Sequence, residues 1–73
     1  MAPKAPVLTA QAVVRLLERH GFVLERSAGS HRLYHQPQTG RRVTVPFHRG
    51  DLPTGTLLAI LKASGIPRDQ WGQ

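Results

Sequence analysis

The sequence contains no cysteine, which excludes disulfide staples and thiolate metal sites. Cysteine-free composition suits a reducing compartment, and a cytoplasmic location is the expectation. Acidic residues are scarce, at four Asp plus Glu. Those four, Glu18, Glu25, Asp51 and Asp69, are scattered along the chain and form no sequence cluster for metal binding. Long apolar runs are also missing. No stretch approaches the roughly 20 residues a spanning helix needs. Residues Met1–Pro6 lack the apolar core of a signal peptide, so no membrane association is expected.

What remains is short and basic. With 73 residues the chain accommodates one domain. A domain this small removes only about 60% of its unfolded surface from water, so its core is small. Ten Lys plus Arg give a formal charge of +6, and eight of the ten are arginine. Arginine is the better residue for forked contacts to phosphate. A surface of this sign attracts nucleic acid more plausibly than membrane, given the absent apolar segments.

The apolar pattern sets the element order. Residues 1–7 are proline-rich and read as a flexible N-terminal arm. Thr9 caps a helix starting at Ala10, with Val13, Val14, Leu16 and Leu17 on one face and Arg15, Glu18 and Arg19 on the wet side. Gly21 fits the left-handed position that ends it. The period then shifts to two. Phe22–Arg26 reads as a strand with Phe22 and Leu24 facing the core, followed by a turn over Ser27–Ser30.

His31, Leu33 and His35 then share one strand face, and Arg32, Tyr34 and Gln36 the other. Pro37-Gln38-Thr39-Gly40 supplies a turn, and Arg41–Pro46 a third strand with Arg41, Val43 and Val45 on one face. A second helix follows Pro53 and carries Leu57, Leu58, Ile60 and Leu61 toward the sheet, ending near Gly65. The tail, 67–73, holds the lone Trp71, which covers either the core edge or a partner. This order predicts an α+β two-layer sandwich, α-β-β-β-α, with a three-stranded antiparallel sheet. One sheet face is then open, bearing arginines and histidines. The loops around 27–31 and 46–50 are expected to meet at one end of it.

Gly29-Ser30-His31-Arg32-Leu33-Tyr34 is the segment richest in chemistry. A histidine follows a flexible turn whose backbone amides can approach a phosphate closely, and arginines flank it at Arg26 and Arg32. Imidazole both takes and gives protons near neutral pH. The alternative is a histidine that hydrogen-bonds a loop and performs no chemistry. His31 and His35 make a poor metal pair, because four strand residues span about 13 Å. Ser30 is a poor nucleophile, since adjacent strand residues point to opposite faces.

In order along the chain stand His20-Gly21-Phe22, the Gly29–Tyr34 segment and Val45-Pro46-Phe47-His48. Asp51-Leu52-Pro53-Thr54-Gly55-Thr56-Leu57 and Ile60-Leu61-Lys62-Ala63-Ser64-Gly65-Ile66 complete the set. Together they resemble the HicA toxins, small bacterial mRNA interferases, over residues 8–66. The resemblance implies a fold like double-stranded-RNA-binding domains, cleavage of mRNA, and neutralisation by a HicB-like antitoxin. It places the family's catalytic histidine on His31. Many relatives carry a second histidine next, where this chain has Arg32.

The expected chemistry is metal-independent hydrolysis of RNA, with no organic cofactor. His31 acts as general base, general acid or both. Arg32 or Arg49 and the amides of Gly29–His31 hold the phosphate, Arg26 extends the RNA-binding surface, and Arg42 either joins it as a phosphate clamp or is a solvated hairpin end. His48 binds phosphate, assists catalysis or caps the following helix. Tyr34 either stacks on a base or packs against the second helix. The competing reading is a non-enzymatic double-stranded-RNA-binding module. A DNA-binding regulator is less compatible, because neither helix is basic along its outer face.

Overall fold

A computed structural model of the chain describes residues 8–71. The expected N-terminal arm, 1–7, and the last two residues of the tail lie outside the described residues. The elements are α1 (Ala10–Arg19), β1 (Val23–Ala28), β2 (His31–His35), β3 (Arg42–Pro46) and α2 (Thr54–Ser64). A single 3-10 turn over Arg68–Gln70 follows. The strands form one antiparallel sheet in the order β1-β2-β3. The fold is α+β, in the order the sequence predicts.

Both ends of α1 are written in the sequence. The Thr9 hydroxyl accepts from the Ala12 amide at 3.1 Å, satisfying one of the helix's orphan donors. At the other end Gly21 takes φ 86°. Its N–H donates to Glu18 and that of Phe22 to Leu17, the paired bonds of a Schellman cap. That cap turns Phe22 into the core, where it is buried against Leu17, Leu57, Leu61, Val13 and Val45.

α2 ends on Gly65 at φ 72°. The Arg41 guanidinium packs so close to this glycine that a Cβ would meet it at 2.8 Å, and it donates to the Ala63 carbonyl at 3.2 Å. Arg41 therefore finishes a helix rather than facing a ligand. Trp71 packs against the core and donates from Nε1 to the Ile66 carbonyl.

Both helices pack against β3 on one sheet face. Tyr34, Val43 and Val45 are buried there, with Val13, Leu17, Leu57, Ile60 and Leu61 from the helices. Leu58 is half-buried. The other face carries His31, Leu33, His35 and Thr44 toward solvent.

Two expectations for β1 need correction. The strand begins after Phe22 and runs to Ala28, so the turn is only Gly29-Ser30. Leu24 is also not a core residue, being 50% exposed. It pairs with Tyr34, which fixes it to the helix-side face. β1 is the edge strand farthest from β3, however, and both helices pack chiefly on β3.

Candidate functional site

The hairpin joining β1 to β2 closes between Ala28 and His31 through a two-residue turn. Gly29 takes φ 58°, and among the described residues no non-glycine has positive φ. A positive first turn residue and a negative second is the pattern of a type II′ hairpin, for which glycine is the favoured first residue. The N–H groups of Gly29 and Ser30 have no hydrogen-bond partner among the described residues. His31 follows directly, exposed, on the open face.

The loop after β3 comes to meet this turn. Phe47 donates its N–H to the Ser30 carbonyl at 2.6 Å. Farther on, Leu52 donates to Leu8 and Thr9 bridges to Asp51, fixing the loop to the start of α1. Anchored at both ends, the loop sets His48 beside His31, with ring centroids 6.5 Å apart and planes at 88°. Arg49 and Gly50 continue it, both exposed.

Two shallow hollows adjoin this pair. One, of about 130 Å³, lies on the open face and is lined by Arg26, Ala28, His31, Leu33 and Thr44. The other, of about 270 Å³, lies between the loop and α1 and is lined by Thr9, Ala10, Gln11, Phe47, His48 and Gly50. His31 belongs to the first and His48 to the second.

The structure thus brings together Arg26, Gly29, Ser30, His31 and His48, with Arg49 next in the loop. It sets two other predicted residues apart. Arg32 faces the helix side, its guanidinium 4.0 Å above the Phe47 ring, a stacked cation–π contact. Arg42 pairs with His35 at the far end of β2, about 13 Å along the strand from His31. Its Nε donates to Glu25 Oε1 at 3.1 Å, and His35 Nδ1 lies 3.5 Å from the same oxygen. Arg42 is therefore already partnered by a carboxylate.

Leu33 and Thr44 were not singled out from sequence as site residues. The alternation that placed His31 on the open face also places Leu33 there, and Thr44 is its partner across β2–β3. Tyr34, the candidate base-stacking residue, is buried in the core. Among the described residues, no three His, Cys, Asp or Glu side chains are grouped so as to hold a metal ion. No described helix is long and apolar enough to cross a membrane.

The geometry offers two imidazoles, unpaired turn amides and exposed arginine at one end of a basic sheet. This equipment suits an anionic phosphodiester. Among curated proteins, no sequence matches the chain. A family profile described as HicA toxin of bacterial toxin–antitoxin matches residues 10–66. That match spans well over half of the sequence, and the chain belongs to the HicA family of toxins of bacterial toxin–antitoxin systems.

Proposed function

We propose that this toxin is an endoribonuclease that cleaves mRNA through His31, with neutralisation by a HicB-like antitoxin. The observation that carries the reading is the His31–His48 pair, 6.5 Å between centroids, where the Gly29-Ser30 turn meets the basic loop after β3. Strand cleavage by 2′-OH attack, a transesterification, needs a base at the 2′-oxygen, an acid at the leaving 5′-oxygen and stabilisation of the phosphorane charge. His31 takes the 2′-proton or delivers one to the 5′-oxygen, and His48 supplies the complementary transfer. The unpaired N–H groups of Gly29 and Ser30 and the Arg49 guanidinium hold the phosphate oxygens. The P–O bond to the 2′-oxygen forms as the bond to the 5′-oxygen breaks. A 2′,3′-cyclic phosphate and a 5′-hydroxyl result.

This scheme uses side-chain and backbone groups alone, so chelator-treated protein retains full activity. Unpaired RNA is the substrate, because an A-form duplex holds the 2′-oxygen out of line for attack. The antitoxin reads as an acidic protein covering the open face around His31. Charge complementarity there speeds and orients association.

The test is cleavage of an oligoribonucleotide carrying a single 2′-deoxynucleotide at the mapped site. Cleavage should stop at that position, and the unmodified RNA should yield cyclic-phosphate ends. Continued cleavage, or only 5′-phosphate ends, rules out the 2′-OH mechanism. A non-enzymatic duplex-RNA-binding module would instead bind duplex tightly, unaffected by His31→Ala.

A further inference from the structure

The 130 Å³ hollow beside His31 is built across all three strands. Arg26 lies opposite Leu33 in the β1–β2 register, and Leu33 opposite Thr44 across β2–β3. The register shift between Leu24 and Arg26 creates this row. Under strict alternation from Leu24, Glu25 would lie opposite Leu33 and Arg26 would pass to the helix side. The bulge instead sends Glu25 toward His35 and Arg42 and brings a cation beside His31. Bulges re-aim side chains in this way next to functional sites.

The surrounding arginines are engaged elsewhere. Arg32 stacks on Phe47, Arg41 caps α2 and Arg42 pairs with Glu25. Arg26 forms no ion pair or side-chain hydrogen bond among the described residues. The lining therefore consists of an apolar floor at half-buried Leu33, the Ala28 methyl, the His31 imidazole, one hydroxyl and one free guanidinium.

We infer that this hollow seats the base of the nucleotide flanking the phosphate at His31, and that it prefers a base with a keto group at purine position six or pyrimidine position four, guanine or uracil. The inference rests on the placement of the scissile phosphate at His31. Its volume falls below the roughly 300–1,000 Å³ of a drug-sized ligand site, and so suits one ring system. Unpaired bases are recognised by packing on flat side chains, arginine included, with hydrogen bonds to their edges. Arginine is donor-only, so Arg26 satisfies O6 and N7 of guanine or O4 of uracil. The six-amino group of adenine presents a donor to a donor.

Three lining residues carry methyl groups, which makes the seat directly observable. The full wild-type chain is methyl-labelled and titrated with inosine and adenosine trinucleotides whose 2′-oxygens are methylated to block cleavage. The two bases share a bicyclic ring and differ at position six, keto against amino. The methyls of Ala28, Leu33 and Thr44 should shift, with the inosine RNA binding about tenfold more tightly, the size of one good base-edge contact. Adding Arg26→Met should erase that preference, and Thr44→Val should reduce it. Both positions are exposed, so the fold should survive either change.

Shifts that avoid these three methyls at saturation, equal affinity for the two RNAs, or a preference that survives Arg26→Met would each overturn the seat. The ribonuclease reading is scored separately, by wild-type cleavage of longer RNA. Methyl shifts without cleavage would retain the base seat and remove the enzyme. Cleavage without the shifts would do the reverse.

Discussion

The Phe47 N–H donates to the Ser30 carbonyl at 2.6 Å, joining the loop after β3 to the turn before β2. The bond carries the β2–β3 ladder one step past the His31–Pro46 pair, into the segments that hold His31 and His48. The Ser30 carbonyl that accepts it belongs to the two-residue turn in which Gly29 takes φ 58°.

Gly29→Ala should destabilise the protein by about 1–3 kcal/mol, the cost of a side chain at a strained positive-φ position. Nothing lies within 4 Å of the added atom, so the effect is conformational rather than steric. Gly29→Asn should cost less, since asparagine is among the residues that type II′ turns accept at positive φ. Urea unfolding of the three proteins measures the difference. Equal stability of all three would mean that the turn does not hold this conformation.

Leu24→Ala should change stability by no more than about 0.5 kcal/mol, as at an ordinary surface position. Leu17→Ala, in the buried cluster, should cost about 2–5 kcal/mol. Thermal melts followed by circular dichroism discriminate the two. A large loss at Leu24 would show that β1 is covered after all.

Much of this arrangement was legible in sequence, and the rest depended on register. Strict alternation from His31 to Gln36 assigns faces correctly, and Thr9 and Gly21 mark the ends of α1 through their cap chemistry. Alternation gives Leu24 a face but not whether anything covers it, and it lies exposed. The bulge at Glu25 leaves no signature in composition, and it decides that Arg26 reaches the open face and that Glu25 reaches Arg42. The approach of His48 to His31 follows from topology, which periodicity implies only once the meander is assumed. Arg32 shows the converse. Its neighbour in sequence is His31, yet strand geometry puts the two on opposite faces.

Glu25→Gln should release Arg42 for RNA. Single-stranded RNA should bind more tightly, and the dependence of log affinity on log salt should steepen by about 0.7, one additional phosphate contact. Arg42→Gln should leave the slope of the parent unchanged, because the partnered guanidinium contributes little to binding. Fluorescence anisotropy at several salt concentrations reads both. An unchanged slope for Glu25→Gln would show that Arg42 makes no contact with RNA.

If His31 and His48 divide the two proton transfers, the rate of RNA cleavage should trace a bell against pH. His48→Ala should flatten one limb while reducing the rate about 10²–10⁴-fold, the usual value of one positioned acid or base. Single-turnover rates across pH test this. A bell that survives His48→Ala would assign the second transfer to another group.

The most direct measurement is induced expression of the wild type beside His31→Ala, following growth and full-length mRNA by northern blot. The account predicts growth arrest with loss of intact mRNA for the wild type. A folded His31→Ala protein should produce neither. Arrest and mRNA loss of equal extent with both proteins would contradict a catalytic role for His31.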